Sequence, residues 1–205
     1  MKEQTKPAYI TFETVLGWLL VAQSPGGIAL VAFLGEESPS EESVLTALQD
    51  HYPNVPPLFE TGSHLLETAK ASLRGYLEKR EPIPEIALDL SKGSRFDRMV
   101  WSELQHIGFG QLRSYGQIAA KIGRPGASRA VGGACGRNPV PILVACHRVV
   151  GSGGKLGGYS GGIALKRTLL EIEGIAVENV PHPSGKTILT NVKSNSGIHS
   201  HGGVH

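Results

Sequence analysis

No run of this sequence approaches the ~20 consecutive apolar residues that a membrane span requires, so no transmembrane segment is expected. The opening residues, Met1-Lys2-Glu3-Gln4-Thr5-Lys6-Pro7, put no apolar core behind their basic start, and no secretory signal is expected there. Cysteine is scarce. Cys135 and Cys146 are the only two in 205 residues and cannot build a disulfide framework. That scarcity points to a reducing compartment, cytoplasmic or, in a eukaryotic host, nuclear, where a thiol stays free to act as a nucleophile. With 40% hydrophobic and 19% charged residues the composition is that of a globular chain. Its length suits one large or two small domains.

The net charge of +2 conceals an asymmetry. Residues 1–94 carry 7 positive and 13 negative side chains, whereas residues 95–170 carry 11 positive and 2 negative. A basic segment beside an acidic one either presents its charge to a polyanion or neutralises its neighbour across an interface.

The first part reads as a small α+β unit. Ala8–Thr14, Gly17–Ser24 and Gly27–Leu34 are short apolar runs punctuated by Gly and by Pro-Gly-Gly, the pattern of a strand meander. Ser38-Pro39-Ser40-Glu41 offers an N-cap, a proline at the first helical position and an acid at the third. Leu66, Ala69, Leu73 and Leu77 predict a helix over Leu65–Glu78, and Glu85–Leu90 reads as a further strand. Lys92-Gly93-Ser94 is the expected linker. The division is therefore an N-terminal unit over 1–92, a second unit over 93–178 and a flexible tail over 179–205. His199, His201 and His205 in that tail could take a metal only adventitiously, and no metal or cofactor is expected.

The second part reads as wholly or mostly helical. Ser94 caps a helix whose face is Phe96, Met99, Val100, Leu104 and Ile107. Tyr115–Ile122 and Ser128–Cys135 are short helices around Gly123-Arg124-Pro125-Gly126, which fits a helix-turn-helix. The second of these helices is unusual, because Arg129 is followed by Ala130-Val131-Gly132-Gly133-Ala134. A recognition helix normally offers several long polar side chains to base edges. Here the small residues either allow close, sequence-independent contact with DNA, Arg129 being the one long probe, or allow tight packing on another helix.

The chemistry is expected at Asn138–Val149. Two prolines, Pro139 and Pro141, then an apolar run deliver Cys146 and His147 to a fixed place. A thiol with a free pKa near ~8.5 holds little thiolate at neutral pH. A neighbouring imidazole can take its proton, and a carboxylate beyond it can hold the ring in the useful tautomer. A buried, inert cysteine is the competing reading.

The sequence strongly resembles the O6-alkylguanine-DNA alkyltransferases, also called methylated-DNA–protein-cysteine methyltransferases. The likeness rests on Phe96, Val100-Trp101, Ser114-Tyr115, Arg129–Ala134, Asn138–Leu143, Cys146–Val150, Gly158–Gly162, Leu169-Leu170 and Glu173-Gly174, in order across residues 95–174. It implies a ribonuclease-H-like N-terminal α/β domain followed by a helical domain resembling a winged helix-turn-helix, which binds DNA and carries the reaction. It also implies direct, irreversible transfer of an alkyl group from O6-alkylguanine in duplex DNA to Cys146, without a cofactor, by a monomer that does not engage membranes. The roles it implies follow position by position. Cys146 is the acceptor, His147 the base through a bridging water, and Glu173 its orienting group, with Glu171 as a rival. Asn138 braces the turn. Tyr115 and the Ser160 backbone stabilise the leaving oxygen and its ring, the Val149 backbone reads the guanine amino group, and Pro141, Gly157 and Tyr159 shape the wall. Arg129 replaces the extruded nucleotide in the stack, while Ser128, Ala130, Gly132 and Arg137 complete the DNA-facing surface.

Two departures stand out. The family's usual residue before the nucleophile is proline, where this chain has Ala145; the substitution is expected to loosen the approach to Cys146 and free one backbone N–H. The N-terminal part has no cysteine, so the structural zinc site of some relatives is absent, and Cys135 is expected to be a spectator. Two other functions compete with alkyl transfer. A lesion-binding protein without repair chemistry is disfavoured by the presence of Cys146, and a cysteine hydrolase by the lack of an evident oxyanion loop.

Overall fold

Gly17 and Gly27 turn the first three strands. Both hold positive φ, 86° and 138°, and a Cβ would strike backbone at each, Gly35 O at 2.3 Å and Ala87 O at 2.5 Å. Only glycine fits. In the computed structural model, which describes residues 8–51 and 63–177, β1 (Ala8–Thr14), β2 (Gly17–Ser24) and β3 (Gly27–Gly35) form an antiparallel meander with β2 in the middle. The tail expected over 179–205, with its three histidines, lies outside the described residues, as does the Met1–Pro7 segment.

Strand alternation sends Leu19 and Val21 to one face and Leu20 and Ala22 to the other. The second face packs on Val44 and Leu48 of α1 (Glu41–His51). The first packs on α2 (His64–Lys79), where Leu66, Ala69, Leu73 and Leu77 are buried as their spacing predicts. The α1 cap falls two residues later than expected. Ser40 Oγ, not Ser38, accepts the Ser43 N–H (3.2 Å), which places Glu41 and Glu42 in the first turn against the positive end of the helix. The strand expected over Glu85–Leu90 shrinks to one bridge, Ile28 opposite Leu88, with Ile28 N donating to Ala87 O (2.8 Å) and Asp89 N to Ile28 O (2.9 Å). Pro82 and Pro84 just upstream have no N–H to extend that ladder.

In the second half, α3 (Arg95–Gln105) begins with a full capping box. Ser94 Oγ accepts from Asp97 N (3.1 Å), and Asp97 Oδ2 accepts from Ser94 N (3.2 Å). Val100, Leu104 and Ile107 are buried as expected; Phe96 and Met99 are only half-buried, and Trp101 is buried with them, its Nε1 donating to Ala134 O (2.9 Å). Helices α4 (Tyr115–Lys121) and α5 (Ser128–Gly136) flank a turn with Gly123 and Gly126 at positive φ. This half is not wholly helical. The two-residue strands β4 (Arg113–Ser114) and β5 (Val149–Val150) pair in parallel, too short to show any alternation in sequence. Helix α6 (Ile163–Ile172) closes the described chain.

One apolar core runs through both halves, from Ile10 and Val31 through Leu73, Val100 and Val131 to Leu169. Among the described residues, the ion pairs Lys70–Glu67, Arg137–Asp97 and Arg148–Glu173 each stay within one half. Removing the α3 cap by Ser94→Ala should lower the unfolding free energy by about 1 kcal/mol, measured by urea denaturation.

Candidate active site

The turn before Cys146 is over-determined. Asn138 is buried; its Oδ1 accepts from Val140 N (3.1 Å), and its Nδ2 donates to Val144 O (2.8 Å) and to Cys146 Sγ (3.1 Å). Val144 N donates to Val140 O (2.9 Å), and Val31 N of β3 donates to Pro139 O (2.9 Å). Held this way, Ile142 sits at φ 72°, a left-handed conformation that a β-branched residue rarely takes and that costs about 1–3 kcal/mol. Cys146–Arg148 then forms a single 3-10 turn leading into β5. The β4–β5 pairing, Arg113 opposite Val149 and Ser114 opposite Val150, sets the start of α4 against this turn. Tyr115 is thereby brought to the nucleophile.

The Cys146 thiol is 3% exposed and lies on the wall of a cavity of about 540 Å³. Tyr115, Ser128, Arg129, Gly132, Cys135, Gly136, Gly158, Tyr159 and Ser160 complete the lining, and the size is typical of a small-molecule pocket. Gly132 keeps the wall thin, since a Cβ there would reach the Tyr115 ring at 3.7 Å. A Cβ at Gly157, whose φ is 67°, would meet the Tyr115 hydroxyl at 3.1 Å. Burial, and then the charges of the two cysteines, push the Tyr115 hydroxyl up to about 12, so it stays a donor.

Behind the thiol stands His147, fully buried, with Nε2 2.7 Å from Glu173 Oε1. Tyr76 of α2 donates to the same oxygen (2.7 Å) and lies 3.1 Å from His147 Nε2. Arg148 Nε donates to both Glu173 oxygens (3.0 Å each), and Gly110 N donates to Oε2 (2.9 Å). Burial would raise the Glu173 carboxyl, but the bonds and charges of His147 and Arg148 outweigh it and hold the group well below its ordinary range. Burial dominates for His147 and lowers it, so the ring is neutral near pH 7. An ionised carboxylate only accepts, so Nε2 carries the proton and Nδ1 the lone pair; Nδ1 is buried and takes no protein partner. Burial raises the Cys146 thiol, and Asn138 and Lys166 oppose that. A protonated thiol beside a neutral imidazole is the resting state this site favours.

The structure brings together Cys146, Asn138, Tyr115, Tyr159, Ser160, Ser128, Arg129 and Gly132, and sets His147 and Glu173 behind them. Of the two acids Glu173 is the buried partner, and Glu171 is exposed. Ala130 is exposed on α5, while Arg137, placed with the DNA-facing residues, is paired with Asp97 at 2.6 Å. Pro141 lines a separate groove beside β3, and the Val149 carbonyl is bonded by Lys166 rather than open. Cys135 is part of the cavity wall, closer to the chemistry than a spectator. Ala145 is 3% exposed at φ −76°, where a proline would sit. Sequence reasoning missed Tyr76, Arg148 and Lys166. An aromatic with a polar tip beside the Leu73–Leu77 stripe, and a lysine one turn before Leu169 and Leu170, were the available signals.

These features define a class of protein: a buried cysteine beside a histidine–glutamate pair, at the foot of a cavity bounded by α4 and α5. The family profile "6-O-methylguanine DNA methyltransferase, DNA binding domain" matches residues 95–175. A methylated-DNA–protein-cysteine methyltransferase of Methanosarcina acetivorans is 37% identical over 167 residues, 81% of this chain and 97% of that protein. One from Mycolicibacterium paratuberculosis is 58% identical over 89 residues, which are 43% of this chain and 53% of that protein, so the chain spans about half the length of that relative. The crystal structure of Mycobacterium tuberculosis O6-methylguanine methyltransferase superimposes with a TM-score of 0.65 at 36% identity, over 82% of this chain and 92% of that one. Mycobacterium tuberculosis OGT in complex with DNA gives 0.66 at 38% identity, over 81% and 92%. The chain belongs to the methylated-DNA–protein-cysteine methyltransferase family.

Two outcomes follow from this geometry. Ala145→Pro should raise stability by about 0.4–1 kcal/mol, because the native φ already suits proline and only the unfolded chain loses freedom; urea denaturation measures it. His147 and Glu173 both bind protons more weakly folded than unfolded. Stability should therefore fall as the pH drops below about 6.5, and further below about 4.5, the ordinary values of the two groups. Unfolding free energies that stay level from neutral to acid pH would contradict this.

Proposed function

We propose that this chain repairs O6-alkylguanine in duplex DNA by moving the alkyl group irreversibly onto Cys146. The observation that carries the proposal is the Asn138-bonded thiol of Cys146 on the floor of a cavity with Arg129 and Tyr115 in its lining and the His147–Glu173 pair behind it.

The target O6 atom cannot reach a buried thiol while the base is stacked, so the nucleotide swings out of the helix into the cavity. Exposed Arg129 takes its place in the stack, and the small surface of Ser128, Ala130 and Gly132 allows α5 close to the groove. Arg137 completes that surface near the phosphates. His147 Nδ1 draws the thiol proton by way of a bridging water, and Glu173 steadies the charged imidazole that results. The thiolate sulfur attacks the alkyl carbon in line. A carbon–sulfur bond forms, the carbon–oxygen bond breaks, and its electron pair leaves with the guanine. The Tyr115 hydroxyl and the Ser160 backbone stabilise the charge that develops on the base. Gly157 and Tyr159 shape the surroundings of the base. No step regenerates the thiol, so each molecule reacts once.

The same proposal divides the chain at residue 92 into a ribonuclease-H-like unit and, over 93–178, a unit resembling a winged helix-turn-helix. The antiparallel meander with helices on both faces supports the first, and α4, α5 and the β4–β5 pair support the second. Among the described residues no helix is long and apolar enough to cross a membrane. We place the protein in the cytoplasm as a monomer.

Incubation with duplex DNA carrying one O6-methylguanine should add one methyl to the Cys146 peptide, weighed by mass spectrometry, with no turnover. Binding without a gain in mass would leave a lesion-binding protein instead. Arg129→Ala should slow transfer from duplex DNA about 10–100-fold, the rate equivalent of a few kcal/mol of unstacking. It should barely affect transfer from the free O6-methylguanine base.

A further inference from the structure

The side chains given roles above all come from the second half of the chain. Tyr76 comes from α2 in the first half and has no solvent exposure. It lies in the apolar core with Leu73 and Leu77, where a wholly apolar side chain would fill the space. A phenol buried there must find partners for its hydroxyl. The partners are the two groups behind the nucleophile. The hydroxyl donates to Glu173 Oε1 (2.7 Å), and its oxygen lies 3.1 Å from His147 Nε2; the Leu169 carbonyl, at 3.5 Å, is a distant third. Phe109 meets the Tyr76 ring edge to face, with centroids 6.0 Å apart and planes at 83°, which aims the hydroxyl.

A phenol has one proton to give and lone pairs to receive. Two acceptors compete for that proton here, and the ionised carboxylate is the stronger. Burial, and then the Glu173 charge, raise the Tyr76 hydroxyl, so the proton is kept. With the proton committed to Oε1, the tyrosine oxygen turns a lone pair toward Nε2. A bare Nε2 would face two acceptors at once, whereas a protonated one satisfies both. The other charged groups acting on the ring, Arg148 on the 3-10 turn and Lys166 on α6, offer Nε2 no acceptor and cannot make this choice between the ring nitrogens.

We propose that Tyr76 is a positioning residue for alkyl transfer: its oxygen, beside the Glu173 carboxylate, locks the His147 proton on Nε2 and so keeps Nδ1 free to draw the Cys146 proton. The inference rests on the function proposed above and extends the reacting apparatus into the first half of the chain. A tyrosine that only filled the core could become phenylalanine without consequence for the imidazole, because the ring and its contact with Phe109 would remain.

The test is Tyr76→Phe in the full chain, which deletes one oxygen. Nitrogen NMR of labelled histidine reads the His147 tautomer near neutral pH without DNA, so this arm can fail while methyl transfer stands. In the parent chain Nε2 should be protonated and Nδ1 bare; in the variant the two shifts should draw together as the second tautomer becomes populated. Unchanged shifts in folded Tyr76→Phe overturn the proposal. With duplex DNA carrying one O6-methylguanine, the first-order transfer step should slow about tenfold, the loss of one hydrogen bond. DNA affinity should hold, since Tyr76 presents nothing to the surface. A transfer step as fast as the parent's overturns the proposal equally. Should the variant fail to fold, 3-fluorotyrosine incorporated in place of tyrosine weakens the phenol oxygen as an acceptor and keeps the side chain. The His147 shifts should then move in the same sense, and unmoved shifts overturn the proposal.

Discussion

The Glu173 carboxylate, wholly shut off from water, takes donors from Tyr76, His147, Arg148 and the backbone of Gly110. An anion buried so deeply is tolerable only when its acceptor sites are filled, and the donors here come from a helix of the first half, the nucleophile's own turn and the loop after α3. Filling them assembles the site. With the carboxylate ionised, the proton of His147 must lie on Nε2, and the other ring nitrogen is left to act as the base. The same bonds fix α2 against the segment that carries Cys146. Catalytic tautomer and tertiary packing are therefore set by one group.

The cavity follows a similar economy. Its helix-side wall is built of residues too small to fill it, Gly132 and Gly136, with Cys135 between larger neighbours, so the room for a base comes from side chains that α5 lacks. The strain at Ile142 and the threefold use of the Asn138 side chain keep the opposite side from collapsing. A Cβ at Gly132 would lie 3.7 Å from the Tyr115 ring of α4, which supports the reading of tight packing on another helix, and Gly132 also borders the cavity.

Much of this was legible in the sequence where a side chain acts with its chain neighbours. The meander announced itself through alternation and glycine turns, and α2, α3, α4 and α5 through apolar spacing and capping residues. Cys146, His147 and Asn138 stood out because two prolines and an apolar run isolate them. Legibility ended where a residue's meaning depends on a distant partner. Tyr76 is separated from Glu173 by 97 positions, and nothing local marks it as more than a core aromatic. Nothing in the chain around Lys166 marks it; only the fold shows two carbonyls from other segments closing over it. Proximity of Glu171 and Glu173 in the chain left two acids competing, and helix phase separates them, one facing water and the other His147.

The bond from Val31 to Pro139, together with an apolar core common to both halves, bears on how the molecule could be dissected. A cut between residues 92 and 93, where the chain looks most severable, would not release a self-sufficient module. It would strip Glu173 of its tyrosine, unroof the strained turn at Ile142 and leave the greasy underside of α2 without a mate. The described residues of the first half, which hold no cysteine, are the casting mould in which the nucleophile sets.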